Sequence, residues 1–128
     1  MKNHEKLPEK ATLDVTLTLS LNPKVVDDIL TTAFEGGINY WCGKVTFAPG
    51  VNPPKGTYAS EALTKGCDLI LYDAEEPELW TLTLEKMLSG IKLYCEKRNT
   101  LITDDSILDA EEADVVVQLA LFGEVVFG

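Results

Sequence analysis

Histidine is almost absent from the chain. The only one, His4, lies in a charged stretch, residues 1–10, that we expect to be a flexible leader. This placement excludes Ser-His-Asp and Cys-His catalysis in their usual forms, and it excludes the usual zinc ligand sets. The three cysteines are widely spaced and form no Cys-x-x-Cys motif, which indicates buried thiols in a reducing compartment. Since the chain also lacks a P-loop and a dinucleotide fingerprint, we expect a protein that is not an enzyme and holds no metal or cofactor.

Basic residues are also few. Eleven Lys and Arg against 21 Asp and Glu give a formal net charge of −10. Direct binding to nucleic acid needs clustered Lys and Arg, so we do not expect it. The acidic balance instead fits a basic protein partner, or simply a very soluble protein. The sequence has no apolar run of the about 18 residues that a membrane-spanning helix needs, and the first ten residues do not resemble a signal peptide. We therefore expect a cytoplasmic protein with no membrane partner.

Local patterns predict the elements of the first half. Residues 11–21 alternate strictly between apolar and polar side chains, as in a half-buried β-strand. An Asn-Pro pair favours the start of a helix directly afterwards. The apolar stripe of this helix runs as far as Gly36 and Gly37, where glycine would accept the left-handed conformation that ends a helix. A strand over 38–47 follows, in which alternation places Trp41 on the face opposite to its two neighbours.

The second half has a helical turn, a hairpin and two helices. These elements are predicted over 59–65, over 67–72 with 79–82, over 84–97, and over 110–122 followed by a short strand at 124–127. The apolar spacing of the helix over 84–97 predicts a buried side that comprises Leu84, Met87, Leu88, Ile91, Tyr94 and Cys95. The last helix is apolar on nearly all sides, which indicates that several neighbours bury it. The element order predicts an α+β fold, a mostly antiparallel sheet of about four to five strands with helices packed on one face. We expect a single globular domain over 11–128.

Two acidic clusters are candidates for protein interaction. The first lies in the turn of the predicted hairpin, and the second precedes and begins the last helix: Asp73, Glu75, Glu76 and Glu78; Asp104, Asp105, Asp109 and Glu111. Neither has the alternation and central glycine of an EF-hand loop, so they are most simply solvated loops. The alternative is an acidic surface that imitates the spacing of phosphates and competes for a basic groove on a partner.

Asp114 and Gln118 stand four residues apart on the otherwise apolar last helix. Exposed carboxylates are the rule, so the favoured interpretation is a solvent-facing stripe shared with Glu111. The alternative is a polar pair that faces a pocket, because buried polar groups must find partners.

The chain after the first helix is a candidate platform for a small ligand. Aromatic residues in a strand most often fill a core. Here, however, two glycines allow close approach of the backbone, a ring of Tyr40 or Trp41 can stack on a base, and Asn39 can read donors and acceptors. Acidic residues beside the two helix-ending glycines would join this rim if the two helix ends lie together. The full candidate site comprises Glu35, Gly36, Gly37, Asn39, Tyr40, Trp41, Asp114, Gln118 and Glu124.

Two segments carry a family resemblance. Residues 29–41 (ILTTAFEGGINYW) and 113–128 (ADVVVQLALFGEVVFG) resemble a family of small proteins encoded by bacteriophages, prophages and other mobile elements, mainly of Gram-positive bacteria. The middle of the chain is similar to that family only in kind. The family has no established activity, so the resemblance implies an accessory role on the phage side and no mechanism.

Three hypotheses follow from the charge, the platform and the resemblance. The first is a non-enzymatic counter-defence protein that inhibits a host nucleic-acid-binding effector, such as a CRISPR complex, in the host bacterial cytoplasm, as anti-CRISPR proteins do. Its partner would be a host defence protein or ribonucleoprotein with a basic groove. The second is a binding module that sequesters a nucleotide-like immune signal. The third, a carboxylate-metal hydrolase, ranks last.

Overall fold

The computed structural model describes residues 9–128, so the expected leader lies almost wholly outside the described residues. The described chain forms an α+β fold, which confirms the predicted class. Its helices are α1 (Pro23–Thr32), α2 (Leu84–Arg98) and α3 (Ala110–Phe122), and its strands are β1 (Cys42–Phe47), β2 (Leu69–Asp73) and β3 (Leu79–Leu82). Among these residues no helix is long and apolar enough to cross a membrane.

Over residues 9–128 the sheet has three antiparallel strands in the order β1-β2-β3, fewer than the four or five that were predicted. Leu71 at its centre is aligned with Val45 on β1 and with Trp80 on β3. All three belong to the core or pack against it. The neighbouring row, Thr46, Ile70 and Thr81, points to the other face because side chains alternate along a strand.

The first missing strand is the segment that we call the N-terminal arm, residues 11–21. Within residues 9–128 it has no assigned secondary structure and belongs to no sheet, and its apolar side chains are exposed, Leu13 by 74% and Leu17 by 58%. Within residues 9–128, no hydrogen bond joins the arm to the rest of the chain. Alternation shows which side of a strand would be buried. It does not show whether a neighbouring strand exists to complete the ladder.

The second missing strand is 124–127, which adopts no strand conformation. Its backbone amides are bound by the side chain of Gln118, as described below, and this contact replaces a partner strand. A segment of four residues is too short for its apolar pattern to show whether it pairs with another strand.

Helix α1 begins as predicted but ends differently. The Asn22 side chain accepts a hydrogen bond from the backbone of Lys24 at 2.9 Å, and Pro23 occupies the first helical position. Beyond Thr32 the helix widens into a π-helical turn, Ala33–Gly37. Neither glycine of this turn has a positive φ, so the predicted left-handed end was wrong. Gly37 is needed for a close contact instead, because a Cβ there would lie 2.6 Å from the carbonyl oxygen of Ala110.

Strand β1 begins at Cys42 and not at residue 38. The amides of Trp41 and Cys42 both donate to the carbonyl oxygen of Ile38, at 3.0 and 2.8 Å, which closes a turn before the strand. Alternation therefore does not apply here. Trp41 and Cys42 are both buried, and Tyr40 is 55% exposed, contrary to the predicted faces.

Helices α2 and α3 pack closely. At Gly90 on α2, a Cβ would lie 2.7 Å from both the Ala120 Cβ and the Val116 carbonyl oxygen of α3. The predicted bounds of α3 are confirmed, with Asp109 as N-cap and Gly123 in the left-handed conformation after its end. On α2, Met87, Ile91 and Tyr94 are buried as predicted. Leu84 and Leu88, which were predicted on the same buried side, are exposed.

Candidate functional site

Asp114 is the centre of a buried polar network on α3. Its carboxylate accepts hydrogen bonds from the Trp41 indole nitrogen at 2.8 Å, from the Tyr40 hydroxyl, and from the Gln118 Nε2 at 2.8 Å. Asp114 is only 7% exposed and Gln118 is fully buried, so the predicted solvent-facing stripe was wrong. The physical reason is that two of the three donors to Asp114, Tyr40 and Trp41, lie more than 70 residues earlier in the chain, where no local pattern reveals them.

Gln118 binds the segment that follows α3, residues 124–128, which we call the C-terminal segment. Its Oε1 accepts hydrogen bonds from the backbone amides of Val126 and Phe127, both at 2.8 Å. Its Nε2 lies 3.2 Å from the Phe127 carbonyl oxygen and 3.3 Å from the Tyr40 hydroxyl. One side-chain amide thus satisfies both an acceptor and donors of the backbone, as a neighbouring strand would.

The C-terminal segment inserts Phe127 into an aromatic cluster. Its ring stacks parallel on Trp41, with centroids 5.0 Å apart and an interplanar angle of 2°. Trp80 and Phe122 complete the cluster, with centroids 6.0 and 5.9 Å from that of Phe127. Such pairs contribute beyond simple area burial. Phe127 covers a face of the indole, and Trp41 is only 3% exposed.

The structure brings together part of the predicted ligand platform. Tyr40, Trp41, Asp114 and Gln118 form the connected network described above. Asn39 and Gly36 are exposed and stand outside it.

The two helix ends do not meet, so the predicted rim of Glu35 and Glu124 is not formed. Gly37 packs against Ala110 at the beginning of α3, whereas Glu124 follows the end of α3. A helix of 13 residues is about 20 Å long, so the two glutamates lie near opposite ends of it. The part of the C-terminal segment that reaches Tyr40 is its end: the Phe127 carbonyl oxygen lies 3.4 Å from the Tyr40 hydroxyl, and Gly128 lies beside it.

Two phenols and one thiol near the network and the core, Tyr40, Tyr94 and Cys42, have raised pKa values. Burial, followed by the hydrogen bond to Asp114, raises the pKa of Tyr40 to about 12. Burial, followed by the hydrogen bond to Glu112, raises the pKa of Tyr94 to about 12. Burial also raises the pKa of the Cys42 thiol. A general base or a nucleophile needs the opposite tuning, so these groups act here as hydrogen-bond donors and packing groups.

The acidic cluster of the β2–β3 turn is fixed from within. Asp73 Oδ1 accepts hydrogen bonds from the backbone amides of Glu75 and Glu76, both at 2.8 Å. These two bonds, that of Glu76 first, lower the pKa of Asp73. Glu75, Glu76 and Glu78 are all exposed. The turn therefore presents three carboxylates on a backbone whose shape Asp73 holds.

In the second acidic cluster, two carboxylates make structural hydrogen bonds, and the other two make none to residues 9–128. Asp104 accepts from the backbone amide of Asn22 at 2.7 Å, and Asp109 caps α3 by accepting from Glu112 at 2.8 Å. Asp105 and Glu111 are exposed. Within the described part of the chain, the ion pairs are Lys24–Asp28 and Lys65–Glu61, so neither acidic cluster is neutralised by a basic side chain. Over the same residues, no three His, Cys, Asp or Glu side chains are arranged to hold a metal ion.

An open groove of about 1,140 Å³ lies between the N-terminal arm and α2. Leu13, Val15 and Leu17 line one side of it, and Leu84 and Leu88 line the other. Sequence reasoning missed this groove because it assigned both rows of leucines to the core. It also missed Phe127, Trp80 and Phe122 as neighbours of the platform, and the apolar residues after Gly123 were the only signal that pointed to them.

A comparison of the chain with known protein families, with curated proteins and with solved structures found no match. These comparisons therefore offer no counterpart of the network or the groove. The resemblance of residues 29–41 and 113–128 to phage proteins stays a prediction.

Proposed function

We propose that this protein is a non-catalytic inhibitor that binds a basic protein surface through its two acidic clusters. The observation that carries the proposal is a set of exposed carboxylates that have no basic partner among residues 9–128 and that lie on turns fixed by hydrogen bonds. A fixed turn loses little conformational entropy on binding, and uncompensated charge steers a partner of opposite sign.

The partner class follows from the same chemistry. A surface that complements spaced carboxylates is rich in Lys and Arg, as is the groove of a nucleic-acid-binding effector. Occupying such a groove would prevent the effector from binding its nucleic acid. We therefore propose a counter-defence role in the bacterial cytoplasm, with a host ribonucleoprotein such as a CRISPR complex as the partner. In this proposal the stack of Phe127 on Trp41 and the buried network around Asp114 only stabilise the fold. They do not contact the partner.

The test compares two triple variants of equal net charge in affinity capture from a bacterial lysate. The cluster variant is Glu75→Gln, Glu76→Gln, Glu78→Gln. The control neutralises three exposed carboxylates outside the clusters: Glu85→Gln, Glu96→Gln, Glu124→Gln. We expect the wild type and the control to retain a basic nucleic-acid-binding protein at low salt, and the cluster variant to lose it.

The salt dependence completes this experiment. Raising the NaCl concentration from about 0.05 to about 0.3 M should release the partner, because screening shortens the range of exposed charges. The purified partner should also lose its nucleic acid when the inhibitor is added. The proposal fails if the cluster variant retains the same partners as the control, or if the wild type retains no basic protein at low salt.

A small nucleotide-like ligand is the second candidate, and the position of Phe127 favours it. An aromatic ring already stacks on Trp41, with the Gln118 amide bonded to the backbone beside it. A base that displaced Phe127 would meet the same ring face and the same donor and acceptor groups. In a thermal-shift assay with a panel of nucleotides, the ligand should then raise the Tm of a Phe127→Ala variant more than that of the wild type. A panel that shifts neither protein removes this candidate.

A further inference from the structure

The N-terminal arm displays a continuous apolar row to solvent. Leu13, Val15, Leu17 and Leu19 occupy alternate positions along it, which a strand would place on one side, and all are exposed. Single exposed leucines are ordinary on a protein surface, whereas a contiguous row marks an interaction site. The arm also has the alternating sequence of a strand, and in residues 9–128 its amides and carbonyls have no hydrogen-bond partner, as at the edge of a sheet.

The apolar row faces a second exposed row across the groove. Leu84, Leu88 and Leu101 contribute that side, and Leu88 is 48% exposed. Protein interiors are close-packed, so an open groove of about 1,140 Å³ between two apolar rows is a surface that lacks its cover. The cover must fill the groove with apolar side chains and must also bond to the backbone of the arm.

We propose that the cover is the arm of a second copy of this chain, paired antiparallel with the first. The backbone requirement excludes a purely apolar small molecule, because such a molecule offers no donors and acceptors in a row. A strand offers both. The two paired arms form a ribbon whose shared apolar side faces the exposed leucines of α2. A two-stranded ribbon alone is marginally stable, and this contact with α2 supplies the packing that it needs.

The arm is complementary to itself. In an antiparallel pair, directly opposite side chains lie on the same face, so a two-fold axis at Thr16 or at Leu17 sets apolar against apolar and polar against polar. With the axis at Thr16, Asp14 lies opposite Thr18. With the axis at Leu17, it lies opposite Ser20. Neither arrangement brings the only charge of the arm next to its own copy.

The charge distribution allows two copies to meet at this face. Two chains of net charge −10 repel each other over most of their surfaces. The arm carries the single charge of Asp14, however, and α2 carries four basic residues against two acidic ones: Lys86, Lys92, Lys97 and Arg98; Glu85 and Glu96. Lys92 and Asp14 both line the groove. This face is therefore where like-charge repulsion opposes association least.

The size of the interface predicts the strength of the dimer. Eleven extended residues span about 36 Å, and one strand spacing plus one helix diameter is about 15 Å wide. Each copy then buries roughly 540 Å², which is less than the roughly 800 Å² of a standard interface. We expect a reversible dimer with a Kd on the order of micromolar.

Sedimentation velocity of the whole protein, from about 1 to about 100 μM, tests this proposal. The wild type should pass from its monomer mass of 14.1 kDa to twice that mass. Leu17→Lys, on the apolar side, should weaken dimerisation at least about tenfold. The matched control is Thr18→Lys, which adds the same charge at the neighbouring polar position and should dimerise at least as well as the wild type, because one of the two registers places residue 18 opposite Asp14. Residue 17 is exposed, so the variant is expected to fold.

Amide hydrogen exchange separates strand pairing from any other dimer. Amides of residues 11–21 should exchange faster in Leu17→Lys than in the wild type at the same concentration, and most slowly in the concentrated wild type. A wild type that stays monomeric over the whole range overturns the proposal. So does a Leu17→Lys variant that dimerises as well as the control, or a dimer in which the arm amides exchange freely. None of the substitutions touches the acidic clusters, so loss of the dimer and loss of partner capture are distinguishable.

Discussion

Replacing Gln118 by leucine is expected to release the C-terminal segment while leaving the rest of the fold in place. Leucine has nearly the same volume but no donor or acceptor. The substitution removes three hydrogen bonds to that segment, to the amides of Val126 and Phe127 and to the Phe127 carbonyl oxygen. It also removes the contact with Asp114, which keeps its other two donors.

The expected cost follows from these contacts. A typical hydrogen bond contributes about 0.5 to 1.5 kcal/mol net, so three of them contribute about 1.5 to 4.5 kcal/mol. Release of Phe127 also loses its stack on Trp41, worth about 0.5 to 1.5 kcal/mol. Leucine recovers part of this by burying apolar surface, and the freed amides regain water. We therefore expect the free energy of unfolding to fall by about 2 to 4 kcal/mol, against a typical total of about 5 to 15 kcal/mol.

Urea denaturation followed by tryptophan fluorescence measures this loss. Trp41 and Trp80 both contact Phe127, so the native emission of the variant should shift to the red as that ring leaves. Glu111→Leu, at an exposed position of the same helix, is the control and should change stability by less than about 0.5 kcal/mol. The effects of Gln118→Leu and Phe127→Ala should also be less than additive, because both release the same segment.

Two results would refute the reasoning about Gln118. The first is a Gln118→Leu protein whose stability lies within about 0.5 kcal/mol of the wild type. The second is full additivity with Phe127→Ala, which would show that the amide and the ring act independently.

Two further predictions concern helix packing and alkaline pH. Gly90→Ala should destabilise the protein by about 1 to 3 kcal/mol, because the added Cβ would overlap Ala120 and the Val116 carbonyl oxygen of α3; a variant as stable as the wild type in urea would contradict the close packing. The pKa of Tyr40 and of Tyr94 is raised to about 12 in the folded state, so the stability that these phenols contribute is complete below about pH 10 and is lost as the pH rises through about 12. Urea midpoints across this interval should fall, and they should fall less in the Tyr40→Phe, Tyr94→Phe double variant.

The helices could be predicted because their signals are local. The capping residue, the apolar side chains and the terminating glycine of α3 all lie within its own 13 residues and their immediate neighbours. The same holds for the start of α1 at Asn22 and Pro23. The end of α1 was missed because Gly37 is there for its contact with Ala110, a residue far along the chain.

The strands were harder to predict, and the reason is pairing. The hairpin of β2 and β3 joins neighbouring segments, so its existence followed from the sequence. The arm and the C-terminal segment have the composition of strands, but a strand exists only where another backbone completes its ladder. One of these segments is bonded to Gln118 instead, and the other has no partner in the described chain.

The sequence alone determined the fold class, the approximate positions of the helices and the near absence of histidine, because these depend on composition and on interactions between near neighbours. It also marked the residues around Trp41 as a place of interest. Only the tertiary structure decided that Asp114 and Gln118 are buried, that Phe127 covers Trp41, and that the apolar side of the arm faces an open groove. Each of these depends on contacts between residues far apart in the chain, and burial is a property of the whole packed molecule.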